Sequence, residues 1–363
     1  MARRVIEIIM SDPSPDKPAR RPRYSGKNPR RFDQKYKEHQ PERYSADVAK
    51  VLDAGKTPAG SHRPIMVQEI LDVLQPRPGE IAVDGTLGHG GHAAELLKAI
   101  QPGGRLIGVD ADPIELPRTE ARLRSLGFPA ESLVVKRMNF AGLARFVLDE
   151  SPDGADVLML DLGLSSMQID DPARGFTYKG DGPLDMRMNP ERGKSAIDLL
   201  STLGVAALSR ILAENADEPY SIELAEAILG AHARNPLTTT RSLAAVVRTL
   251  YLKGVRQTED EAENAVRRVF QALRIAVNDE LGSLDLLLRS LATCLKPGGR
   301  VAILSFHSGE DRRVKAAFKD GLSTGVYAAI AAEPTRASAS ERRGNPRSTS
   351  AKLRFATRSA RTD

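Results

Sequence analysis

The chain has no tryptophan, a single cysteine and only 4% aromatic residues across 363 positions. One cysteine, Cys294, excludes an intramolecular disulfide framework and suits a reducing compartment. With so few rings the core must rest on Leu, Val, Ile and Ala. No apolar run approaches a membrane-spanning length. The stretch "MARRVIEIIM" is too short, and too interrupted by Glu7, for a secretion signal. The expected location is the cytoplasm. Histidine is scarce as well: His62, His89, His92 and His307 lack the spacing of a ligand set, so no metal site is expected.

What is present, 41% hydrophobic and 28% charged residues, fits a soluble globular chain of one large domain with a smaller one inserted or appended. Charge is unevenly spread. Residues 1–60 carry 14 Lys and Arg against 8 Asp and Glu, residues 330–363 carry 8 against 3, and yet the whole chain is only +6. The basic excess therefore sits at the two ends of a mildly acidic body. Such ends suit RNA or DNA as readily as they suit a solubilising tail. The extension 1–60, above all 11–60, is rich in Pro and charge and poor in apolar residues. It cannot bury enough surface to offset its ordering entropy, so disorder is expected.

From Ser61 onward the patterning is regular. "PIMVQEILDVLQ" has a helical period stopped by Pro76. "EIAVDGT", "RLIGVDADP", "SLVVKRM" and "ADVLMLDLG" read as strands, with helices at "GHAAELLKAI" and Arg118–Leu126 between them. This alternation predicts an α/β fold, a parallel sheet with helices on both faces. From 172 to 262 only helical patterns occur, such as "VAALSRILA", "SIELAEAILGAHA" and "TTRSLAAVVRTL". Strands return at "GGRVAILSF" and "SAKLRFATR". The economical reading is a discontinuous sheet domain, 61–171 and 263–363, interrupted by a helical insert, 172–262.

The densest signal is "VDGTLGHGGH", residues 83–92. A strand, a glycine turn and a helix leave bare amides for an anionic or polar ligand. Gly88, Gly90 and Ala93 satisfy G-x-G-x-x-A, so an NAD-dependent oxidoreductase is one reading. It lacks a coherent catalytic His, Lys or Tyr paired with a substrate Arg. Three acids favour S-adenosylmethionine instead. Asp84 precedes the turn, where it can hold an ammonium, directly or through water, but repels pyrophosphate. Asp110 ends the second strand, placed for ribose hydroxyls, a task it could also perform for NAD. Asp161 ends the fourth, at the rim where adenine and the transferred methyl would meet. The bland alternative is that Asp84 and Asp161 cap helices or bind loop amides.

Several motifs together resemble the bacterial small-subunit (16S) rRNA cytosine-N4 methyltransferases, the RsmH or MraW family. They are "DGTLGHGGH" (84–92), "DLGLSSMQIDDPARGF" (161–176), "DGPLDMRM" (181–188), "RRVFQALRIAVNDEL" (267–281), "LKPGGRVAILSFHSGEDRRVK" (295–315) and "NPRSTSAKLR" (345–354). The resemblance runs from about His62 to Arg358. It implies a class I S-adenosylmethionine-dependent methyltransferase, a Rossmann-like sheet with an inserted all-helical domain expected to recognise RNA. It further implies methylation of the N4 amine of a cytidine in the decoding centre of 16S rRNA. Motif by motif it assigns cofactor contacts to Gly90, Gly91, His92, Asp110, Phe140, Asp161 and Gln168. The sequence departs from the family at Gly309, at "ENADEPY" (214–220), in the basic extension, and in a short stretch between Lys315 and Asn345. A non-catalytic RNA-binding protein that kept the fold is the remaining alternative; the intact glycine loop and its acids argue against it.

Methyl transfer needs alignment of nucleophile, carbon and sulfur, and an acceptor near the amine whose lone pair must leave ring conjugation. Here strand four ends in Asp161-Leu162-Gly163-Leu164-Ser165-Ser166, without the Pro-Pro-aromatic run of many amino-methyltransferases. Asp161 and carbonyls of this loop are the candidate acceptors, with Ser165 or Ser166 fixing the base; a purely cofactor-binding Asp161 is equally open. A helix expected over 264–281 carries an apolar stripe, Val266, Phe270, Leu273, Val277 and Leu281. Beside it run Arg267, Gln271, Arg274 and Asn278, a stripe without carboxylates that favours phosphates and base edges over a merely solvated face. His307 either faces the target nucleotide or, as a lone His at a strand end more often does, makes a structural hydrogen bond. Arg312 and Arg313 are placed for phosphate. Basic flexible ends favour an assembled subunit over free rRNA as the substrate.

Overall fold

Strand residues of alternating direction build the two faces of one sheet. In the computed structural model, which describes residues 64–360 apart from Arg256 and the side chain of Ser166, Ala82, Leu106, Val157 and Met159 face one side. Val83, Ile107, Leu158 and Leu160 face the other. All eight are fully buried, as the period-two geometry of a covered sheet requires. The extension 1–60 lies outside the described residues.

In chain order the elements are α1 (Val67–Leu74), β1 (Ile81–Asp84), α2 (Gly91–Ile100), β2 (Arg105–Asp110), α3 (Glu115–Arg124), β3 (Leu133–Arg137), α4 (Leu143–Glu150) and β4 (Ala155–Asp161). After the short helix α5 (Ser166–Asp170) come α6 (Ala196–Thr202), α7 (Val205–Ala216), α8 (Ser221–Arg234), α9 (Thr240–Thr249), α10 (Glu259–Asn278) and α11 (Glu280–Ser290). The chain then returns through β5 (Leu295–Ser305), α12 (Ser308–Ser323), β6 (Tyr327–Ile330), α13 (Ala339–Gly344) and β7 (Lys352–Arg358).

The sheet order is β3-β2-β1-β4-β5-β7-β6. Pairing is parallel from β3 to β5, in register Val83 with Ile107 and with Leu158. The parallel part is what the alternating strand and helix patterns predict, and the far edge departs from it. β7 runs antiparallel to both β5 and β6, and β6, "YAAI", is too short and too exposed in its middle to show a sequence period. The order reverses between β1 and β4, so a crevice opens there at the carboxyl ends of the strands, where Asp84 and Asp161 lie.

A separate apolar cluster runs from Phe176 to Leu273 and contains no strand, as the helical patterning of 172–262 implies. Its far boundary lies beyond 262. The buried face of α10 (Ala262, Val266, Val269, Phe270 and Leu273) belongs to this cluster, so the helical body extends through Asn278. The helix expected over 264–281 also ends there. Asp279 takes a left-handed conformation (φ 47°) that breaks it, and Leu281 belongs to α11.

Candidate active site

The crevice at the sheet rim continues into a cavity of about 660 Å³, bounded by the glycine loop, the ends of β2 and β4, the segment 161–179 and one face of α10. Its geometry follows from local rules. Leu87 donates its amide to Val109, which folds the loop back onto β2. Gly90 sits at φ 66° as the N-cap of α2, and a Cβ there would come within 2.9 Å of Thr119 and 3.2 Å of Leu123. At Gly91 a Cβ would press on Pro64 at 2.9 Å. The bare loop is therefore required by its packing as well as by any ligand.

The acids do different work. Asp84 does not line the cavity. It lies under the loop and accepts from the Thr86 amide at 3.0 Å, and burial, opposed mainly by His92, raises its pKa to about 6. Asp84 was expected to hold an ammonium directly or through water, and it lies behind the loop rather than on the cavity wall. Asp110 lines the cavity and uses one oxygen for the Gly88 amide (2.7 Å) and the other for the Asp112 amide (2.8 Å). Burial raises its pKa despite those two amides. Each oxygen keeps a second lone pair for a hydroxyl.

Asp161 is the least satisfied of the three. Its backbone amide donates to Thr86 Oγ1 at 2.6 Å, so loop and strand are tied at this residue. Oδ1 is buried with no hydrogen-bond partner, and Oδ2 stands 3.7 Å from His92 Nδ1. Burial, reinforced by the negative charge of Glu310, pushes the carboxyl up to about 7. An orphaned acidic oxygen at a cavity wall fits a cationic or amine-bearing ligand, and it does not fit a phosphate.

Phe140 follows β3, where Asn139 caps its turn through the Ala141 amide, and it lines the cavity beside Asp110. Gln168 also lines it, but both ends of its amide are engaged. Oε1 accepts from Ser165 N (2.9 Å) in a capping box on α5, and Nε2 donates to Asp112 (2.7 Å). Asp112 was missed by sequence reasoning. It is 1% exposed and also holds Arg174 at 2.9 Å, whose other nitrogen donates to the Met188 carbonyl. The acid of "VDADP" and the arginine of "DPARGF" thus fasten the 161–188 segment to the end of β2. Nothing in either motif pairs them.

The α10 stripe divides. Arg267, Gln271, Arg274 and Asn278 all line the cavity. Arg267 is exposed and donates to Asn264 of its own helix. Gln271 donates to the Asn215 carbonyl, and Asn278 clamps the backbone of Met186 and Met188. Arg274 grips Glu280 with two bonds of 2.8 Å. The stripe looked free of carboxylates because Glu280 comes from the next helix. His307 caps α12, with Nδ1 accepting from the Glu310 amide, and Glu310 reciprocates at the backbone of Phe306 and His307. Burial would raise the Glu310 carboxyl, but His307, the Phe306 amide and Arg274 together hold it below its ordinary value. The spacing His307-x-x-Glu310 is the capping-box signature that could have revealed this. Arg312 and Arg313 pair with Asp217 and Asp285 rather than standing free.

No helix of the described residues is long and apolar enough to cross a membrane. Comparison with known proteins adds the identity of the group. The profile described as the MraW methylase family matches residues 59–359. The protein named ribosomal RNA small subunit methyltransferase H 1 from Lachnoclostridium phytofermentans is 46% identical over 93% of this chain and 92% of its own. Ribosomal RNA small subunit methyltransferase H 2 from Alkaliphilus metalliredigens is 47% identical over 94% of this chain and 98% of its own. Similarity sustained over both lengths, across sheet and helical body alike, means that this chain belongs to the MraW methylase family.

Proposed function

We propose that this chain is an S-adenosylmethionine-dependent methyltransferase of small-subunit ribosomal RNA, and that it methylates the N4 amine of a cytidine in the decoding centre of 16S rRNA. The observation that carries the reading is Asp161: an acid at the strand rim, one oxygen unpartnered, between a glycine loop and a helical wall. The relatives' names supply the RNA.

When bound, S-adenosylmethionine supplies a methyl already activated on a sulfonium. The backbone of Gly90, Gly91 and His92 would line its amino-acid end, Asp110 its ribose, and Phe140 its adenine, with Gln168 holding the rim through Asp112. Asp161 accepts a hydrogen bond from N4, drawing the amine lone pair out of conjugation as charge develops. Arg267 and Gln271 meet the RNA from the helical side, and the base must leave its stack to reach the cavity. The sheet and its glycine loop bind the donor, and the helical body, α10 included, recognises the acceptor. An NAD-dependent oxidoreductase would have to seat a pyrophosphate above Asp84, Asp110 and Asp161, which like-charge repulsion opposes.

Mass mapping of small-subunit rRNA from cells with and without this protein tests the assignment. One cytidine should lose a single methyl group in its absence. An unchanged map, together with no methyl incorporation by the purified chain into free rRNA or assembled subunits, overturns it.

A further inference from the structure

Three ionisable groups from β1, α2 and β4 meet beneath the glycine loop, and only Asp161 has been given a chemical task. His92 donates from Nε2 to the Ile65 carbonyl at 2.8 Å. A carbonyl only accepts, so Nε2 carries the proton and Nδ1 of the neutral ring is a lone pair. That nitrogen lies 3.7 Å from Asp161 Oδ2, beyond a direct hydrogen bond, while Asp161 Oδ1 has no hydrogen-bond partner. Asp84, below them, is occupied with Thr86. A lone pair facing a carboxylate in a buried site is settled either by a shared proton or by a cation close by.

We propose that Asp161 and His92 form a proton-sharing pair that receives the proton lost by the amine on methylation. The inference rests on the methyl-transfer reading above. As N4 bonds to the methyl carbon, the C–S bond breaks and its electron pair stays on sulfur. The N4–H pair then returns to nitrogen and the proton passes to Asp161, with His92 Nδ1 behind it. The timing is built into the charges. A sulfonium beside Asp161 favours its ionised form. Transfer removes that cation at the moment the amine must shed a proton, and the carboxyl regains its affinity for one. His92 acts through Asp161 and is a positioning residue.

The surroundings agree. Burial raises Asp161 to about 7, so it changes protonation with small changes of nearby charge, and lowers His92, which keeps the ring neutral with Nδ1 as an acceptor. His92 is faced by Asp84 of β1, Asp161 of β4 and Glu341 of α13. Asp161 is faced by Glu310 of α12, which is held ionised by His307 and Arg274. Asp84, raised to about 6 chiefly by burial, feels His92, Asp161 and Asp110.

Titration calorimetry of the full chain at neutral pH, in two buffers of different ionisation enthalpy, counts protons exchanged on binding S-adenosylmethionine and S-adenosylhomocysteine. The sulfonium ligand should release about half a proton more than its thioether product, which lacks the charge on sulfur, as a group half-protonated in the apo state requires. The difference should vanish in Asp161→Asn. It should fall by half or more in His92→Gln, which keeps a donor for the Ile65 carbonyl. Equal counts for the two ligands in the unaltered chain overturn the proposal, as does a His92→Gln chain that keeps the whole difference. Should that variant fail to fold, the His92 ring proton resonance of the unaltered chain decides. Its titration midpoint must differ between the two complexes, and identical midpoints refute the pair. Binding of neither ligand would instead remove the methyltransferase reading itself.

Discussion

On the sheet side of the cavity the acids Asp110 and Asp161 are satisfied by backbone amides or not at all, and burial has raised both. On the helical side Arg274 and Asn278 are fully engaged, one by Glu280 and the other by the Met186 and Met188 backbone. The first wall keeps interaction capacity for a ligand and is less stable for it. The second uses its polar groups to hold α10, α11 and the 161–188 segment in place. Side chains that look alike in sequence therefore differ in what their removal costs. Loss on the sheet side should affect turnover, and loss on the helical side should affect folding, with exposed Arg267 as the exception.

The largest effect expected is on the helical wall. Arg274→Ala strands the Glu280 carboxylate, whose side chain is 9% exposed. Leaving a buried charge unpaired costs about 3–5 kcal/mol, so the denaturant midpoint should drop steeply. A midpoint within experimental error of the parent would show that Arg274 is available to RNA after all.

Asp161→Asn comes next and should act in the opposite sense. Turnover should fall by about 10²-fold or more, as for removal of one group aimed at developing charge. Stability of the unliganded chain should rise. The folded carboxyl titrates near 7, above its unfolded value, so the folded state prefers it protonated. Relative to Asp161→Asn the parent is level below about pH 4 and loses up to about 4 kcal/mol by the time pH passes 7. Denaturation of both chains at pH 4 and pH 8 measures this. A parent equally stable relative to the variant at both pH values breaks the contrast between the walls.

Smaller effects sharpen it. Ser165→Ala removes the cap of α5 and costs about 1 kcal/mol. Because Gln168 also reciprocates that cap, cofactor affinity should weaken with it, visible as a raised KM for S-adenosylmethionine. Arg267→Ala should leave the melting temperature in place, raise KM for RNA a few-fold and lower the salt slope of RNA binding by about one. An unchanged slope would remove Arg267 from the RNA face.

Much of the fold was legible because one period governs each element. "GHAAELLKAI" coincides with α2 residue for residue, and β1 to β4 fall inside the runs read as strands. β6 escaped, since four residues with two exposed carry no period. The end of α10 escaped because Asp279 breaks it by adopting φ 47° rather than by being Gly or Pro. Within the site, Gly90, Gly91, His92, Asp110, Phe140, Asp161 and Gln168 do gather around one cavity. Asp84 stays beneath it, for burial of its side chain under the loop is invisible in a motif. Asp112 and Glu310 went unnoticed as charges that organise the site, because their partners lie on other elements.

The sequence alone determined which backbone segments form strands and helices, where the glycine loop falls and which acids end the strands. Those features depend on residues within a few positions of one another. Only the tertiary structure decided which charges are spent and which are held in reserve. Pairing Arg274 with Glu280 across the Asp279 break, or Asp112 with Arg174 from 62 positions away, depends on how elements pack. The desolvation that raises Asp161 likewise exists only once the sheet rim and α12 have closed around it.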